Sequence, residues 1–138
     1  MQQPNLVNFE NALMQITQSK GWQISKDAAG TIGVIVPVKP GRTQNVYVTY
    51  GRDADQATVA FFWSVCAEAN VVRDPLAILR ANYSMSYGAY AIKEQSLILQ
   101  DGVLVEGADI PTLTKVIWHI ARNADGYEEA VYGQRQRF

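Results

Sequence analysis

Thr31-Ile-Gly-Val-Ile-Val-Pro-Val38, Gln44-Asn-Val-Tyr-Val-Thr-Tyr50 and Ala57-Thr-Val-Ala-Phe-Phe-Trp-Ser-Val-Cys66 decide the fold, because all three alternate with a period of two. Alternation rich in β-branched and aromatic residues is the pattern of a strand with one buried face. Lys39-Pro40-Gly41 and Gly51-Arg-Asp-Ala-Asp55 separate the three runs as turns. The stretch reads as three consecutive antiparallel strands.

Upstream, Leu6, Phe9, Leu13 and Ile16 recur at helical spacing, with Asn5 as the expected N-cap and Gly21 as the C-terminal stop. Trp22 and Ile24 then open a short extended segment that turns at Asp27-Ala-Ala-Gly30. Downstream, Asp74-Pro75 is a strong helix start, and Leu76, Leu79 and Tyr83 give that helix an apolar stripe as far as Met85. Gly88–Lys93 and Ser96–Glu106 read as two more strands with a tight turn around Glu94-Gln95, the alternative being Asp101-Gly102 as a second turn or a bulge inside the latter run. From Asp109 to Tyr132, Leu113, Val116, Ile117, Ile120, Ala124, Tyr127 and Val131 form a long amphipathic helix. The expected architecture is α+β: an antiparallel sheet of about five strands flanked by three helices, in the order α-β-β-β-α-β-β-α. Residues 1–138 read as a single domain with a frayed tail at 134–138.

Composition narrows the function. Twelve Lys+Arg against thirteen Asp+Glu leave a net charge of -1, without the basic surplus on which general nucleic-acid binding relies. Nor is there a polybasic segment for membrane docking, or an apolar run near the ~20 residues needed to span a bilayer. The N-terminus lacks a basic segment followed by an apolar one, so no signal peptide is expected and the protein reads as cytoplasmic. The one cysteine, Cys66, excludes an internal disulfide.

Gly41-Arg42-x-Gln44-x-Val46, Leu79-Arg-Ala-Asn82, Tyr87-Gly-Ala-Tyr-Ala91 and Ile120-Ala-Arg-Asn-Ala-Asp125-Gly-Tyr-Glu128 follow one another in an order that extends over most of the chain. In that order they resemble the YbjN-like and type III secretion chaperone-like group, and within it the small families found in cyanobacteria and plastids. The resemblance implies a Tir-chaperone-type fold. It also implies a binding function: members are dimeric chaperones that hold extended client segments, or regulators. It carries over no catalytic residue. The near-neutral charge departs from the more acidic secretion chaperones.

Reactive chemistry is sparse. A zinc site needs three or four soft or imidazole ligands, and the chain offers His119 and Cys66 alone. His119 could serve as a general base, but reads as a partly exposed helix histidine. Cys66 reads as a small buried hydrophobe. Asp53 and Asp55 suit turn chemistry, and Glu128 and Glu129 a solvated helix face. No catalytic residue, metal or cofactor is expected.

The third strand is the informative oddity. Val59, Phe61, Trp63 and Val65 fall on one side, expected to be the core, and Phe62 on the other. Alternation groups Ile35, Tyr47 and Phe62 as an apolar cluster on the reverse of the sheet. Either the second helix or a long side chain such as Arg42 covers that cluster, or it is a subunit or client interface. A register slip of one residue exchanges the two faces. The leading expectation is a noncatalytic protein-binding domain, homodimeric, using the sheet face and the second helix, with a protein client or itself as partner. A small-molecule or enzymatic pocket near Trp63 and Trp118 is the alternative. Single-stranded nucleic acid on an aromatic sheet ranks third, because basic residues do not surround the aromatics.

Overall fold

The structure, a computed structural model, describes residues 4–133, 135, 137 and 138. Its elements are α1 (Pro4–Lys20), β1 (Gln23–Lys26), β2 (Ile32–Lys39), β3 (Arg42–Arg52), β4 (Thr58–Glu68), α2 (Pro75–Ser84), β5 (Ala89–Lys93), β6 (Ser96–Leu104) and α3 (Ile110–Tyr132). The strands form one antiparallel sheet in the order β1-β2-β3-β4-β6-β5, so the α+β expectation holds. The count is six rather than about five, because the short segment after Trp22 pairs fully with β2.

Local signals explain most boundaries. Asp74 and Asp109 cap α2 and α3, accepting from Ala77 and Thr112 N–H, each with a proline at the start of the helix where no donor is needed. The first helix begins at Pro4, so Asn5 lies inside it rather than capping it; a first-turn proline likewise forfeits no hydrogen bond. Asp101-Gly102 is neither turn nor bulge, since β6 runs straight through it and Gly102 pairs with Phe61. The glycine there leaves room for the Phe61 ring. A Cβ on Gly102 would lie 3.4 Å from the Phe61 ring, and one on Gly51 only 2.9 Å from it. Gly51 is accordingly part of β3, and the Phe61 ring lies across two glycines on neighbouring strands.

The core sits between one face of the sheet and the helices. Ile32, Val34, Val36, Val46, Val48, Ala60 and Phe62 pack against Phe9 and Leu13 of α1 and Leu113, Ile117, Ile120 and Ala124 of α3. The Phe9 ring meets both Phe62 and Tyr50, with centroids 6.1 and 6.0 Å away. At the other end of the sheet, the Asn82 side chain takes Tyr90 N–H at 2.6 Å and donates to Tyr90 C=O at 3.2 Å. One amide thus satisfies the outer edge of β5 as a neighbouring strand would.

A polar cluster lies within this core. Arg42 Nε donates to Asp125 Oδ1 at 2.8 Å, and Glu128 Oε1 stands 3.9 Å from the same guanidinium. Glu128 is wholly buried, so the expectation of a solvated helix-face charge is corrected: it follows Asp125 by three residues on the inward stripe of α3. Its other oxygen accepts from the backbone N–H groups of Arg137 and Phe138. The expected frayed tail falls partly on Gln134 and Gln136, outside the described residues; Arg137 and Phe138 turn back onto α3. Beside Arg42, Gln44 donates to Ser64 Oγ and Val65 C=O.

Breaking a buried ion pair strands the surviving charge in a low-dielectric surrounding. Arg42→Ala therefore lowers the unfolding free energy, read by urea titration, by about 3–5 kcal/mol. Lys39→Ala, which removes only the exposed pair with Glu129, lowers it by less than about 1 kcal/mol.

Candidate functional site

Strand pairing fixes which side chains are left outside the core. Tyr47 stands opposite Trp63, and Val48 opposite Phe62. Directly opposed residues share a face, so Ile35 and Tyr47 lie with Val59, Phe61, Trp63 and Val65 on the side away from the helices. Phe62 is in the core, with no exposed surface. The expected trio of Ile35, Tyr47 and Phe62 is therefore split, and the side expected to be the core is the open one. The reason is the β3–β4 register set by the Asp53–Ala57 turn, where Asp53 accepts from Asp55 and Ala57 N–H. Arg42 does not cover the open face, because it reaches α3 on the other side.

On that face the Tyr47 and Trp63 rings meet at 4.7 Å, and Trp63 Nε1–H donates to Thr49 Oγ1. Lys93 Nζ lies over Trp63 at 5.0 Å, which carries the surface from β4 across to the edge strand β5. Trp63 and Trp118 cannot line one pocket, since Trp118 belongs to α3 and packs on the core face.

The second helix does not cover the sheet. Its apolar stripe does not face the sheet: Leu76 is 59% exposed, Leu79 62% and Tyr83 94%. Ile78 alone of its large apolar side chains packs on the core, and Ile92 on the adjoining β5 is exposed as well. Periodicity shows that a helix has an apolar side, but not what lies beyond it.

A groove of about 600 Å³ runs between the end of α2, Tyr87 and Tyr90 near β5, and α3. Residues 119, 122, 123, 126 and 127 of α3 border it, the three-and-four spacing of one helix face. His119 stacks on Tyr87 at 4.8 Å with ring planes 17° apart. Among the described residues His119 makes no hydrogen bond or ion pair, so the general-base reading has neither orienting acid nor nucleophile beside it. Burial pushes the Tyr90 phenol up to about 12, so it stays protonated. Gly126 was the overlooked signal: it sits in the middle of α3, and a Cβ there would meet nothing within 4 Å. Cys66 is buried among core side chains, and burial pushes its thiol well above the ordinary range. Among the described residues, no three His, Cys, Asp or Glu side chains gather as a metal site would need.

These placements give two checks. Gly126→Ala raises stability by about 0.5–1 kcal/mol in a thermal or urea melt, because no packing opposes the entropic gain. Iodoacetamide leaves Cys66 unmodified in the folded protein at neutral pH and alkylates it once urea unfolds the chain, as read by mass spectrometry.

The element order and sheet topology match the type III secretion chaperone-like fold. A chain of the HopA1–SchA chaperone–effector complex superposes on 94% of this chain and 98% of its own, with a TM-score of 0.67 and 15% sequence identity. At that identity the likeness is one of fold. No family model matches the sequence, and no curated protein is similar enough to be matched.

Proposed function

We propose that the chain is a noncatalytic protein-binding domain of the chaperone-like, YbjN-like kind. It works in the cytoplasm and associates with a second copy of itself to hold a protein client. The observation that carries this reading is the outward apolar stripe of α2. Three large side chains at helical spacing remain in water, at roughly 1.5–3 kcal/mol per fully exposed side chain relative to burial. Ile92 of the edge strand β5 adds an exposed apolar side chain on the helix side of the sheet, opposite Leu97, while Trp63 and Tyr47 with Lys93 over them lie on the open side. Apart from Lys93 and Glu68 at one end, the strand residues on that face carry no charge, and core interface patches are similarly aromatic and charge-poor. A C2 dimer uses the same patch of both copies, and an apolar, charge-poor surface meets its own copy without like-charge repulsion. That a chain of this fold occurs in a chaperone–effector complex supports a protein partner over nucleic acid or membrane.

Light scattering tests it. The wild type is expected at about twice 15.3 kDa, and Leu79→Asp or Tyr47→Asp returns it to the monomer mass with unchanged circular dichroism. Phe62→Asp, by contrast, unfolds the chain because it puts a charge in the core. A monomeric wild type overturns self-association.

A further inference from the structure

Tyr87 divides two grooves of opposite character. On one side lie Asp101, Glu106 and Asp109. On the other, the groove beside α3 has no carboxylate among its lining residues, while Arg122 and His119 both border it. Arg122 makes no ion pair or hydrogen bond among the described residues, whereas Lys26, Lys39 and Arg42 all have acidic partners. Four aromatic rings stand around it: His119 stacked on Tyr87 at one end, and Tyr90 against Tyr127, centroids 5.5 Å apart, at the other. Asn123 adds an amide that can both donate and accept. The volume, about 600 Å³, falls within the range of small-molecule sites.

Gly126 is the independent observation. A glycine inside a helix costs stability relative to alanine, and neither a positive φ nor a close neighbour calls for one here. Its effect is to leave the α3 wall of this groove bare between Asn123 and Tyr127. Ala81, Tyr87, Tyr90 and the α3 residues after His119 that line it come from three of the four segments singled out in the sequence.

The geometry points to a binding site for a small planar anion: an aromatic ring bearing a carboxylate or phosphate, lying along the Gly126 wall between the tyrosines, with its charge on Arg122. A guanidinium offers two parallel N–H donors to such a group, and the oxygens are paired without competition from a resident acid. This site is separate from the self-association surface and stands or falls without it.

Titrating the isotopically labelled protein with benzoate and phenyl phosphate, and in parallel with phenol and inorganic phosphate, tests the site by backbone amide shifts. Saturable changes confined to residues 85–90 and 119–127 are expected for at least one of the two aromatic anions. Phenol and inorganic phosphate should bind at least roughly tenfold more weakly, as each lacks one half of the recognition. Arg122→Ala, an exposed change without a partner to strand, weakens the anion roughly tenfold or more and leaves the melting temperature unaltered. Gly126→Leu fills the wall and abolishes the shifts. No saturable change for either aromatic anion up to about 10 mM, equal affinity in the Arg122 variant, or shifts that map elsewhere overturns the assignment.

Discussion

Val48 faces Phe62 across β3 and β4, and from that register every division of labour in the molecule follows. With Phe62 inward, the even-numbered side of β2 and β3 becomes the floor on which α1 and α3 pack. The odd-numbered side, with Ile35, Tyr47, Phe61 and Trp63, is left without a helix. A shift by one would have put Trp63 under α3 and Phe62 in water. The tight Asp53–Ala57 turn blocks that shift by tying Asp53 to three later backbone N–H groups.

The same inward face carries the chain's polar commitment. Arg42 and Gln44 are buried at the start of β3, where the register points them at Asp125, Glu128 and Ser64. A purely apolar seam would tolerate sliding of α3 along the sheet; an arginine held by two carboxylates does not, because any displacement leaves charge unpaired in a medium that cannot solvate it. We read the cluster as the device that fixes α3 axially. It thereby places His119, Arg122 and Gly126, on the adjoining flank of the same helix, beside Tyr87 and Tyr90. Packing and surface are two faces of one helix.

The outward apolar groups divide in turn. On the sheet they lie flat, with Phe61 across two glycines and Lys93 across Trp63, which trims the exposed area of each ring. On α2 nothing trims them. Tyr83 and Leu79 stand free while Asn82, one residue before Tyr83, turns inward to satisfy the β5 edge. A helix anchored by an amide rather than by its apolar stripe keeps that stripe available to a partner.

The sequence alone settled the elements. Period-two runs, Asp-Pro starts and the stripe of α3 are local properties of the chain, and they fixed the α+β class and most boundaries. It also showed that apolar residues project from both sides of the sheet. It pointed to the wrong side for the helices, because the outward set of β4, Val59, Phe61, Trp63 and Val65, is more apolar than the inward Ala60, Phe62, Ser64 and Cys66, and the two differ only by one step of register. Nor did it reveal that Glu128 is buried, since its counter-charge comes from a strand more than eighty residues away, Arg42 and Asp125 being 83 positions apart. The groove at Gly126 was closed to it for the same reason. Burial is a relation between distant segments, and only the folded arrangement of β3, β5, α2 and α3 decides it.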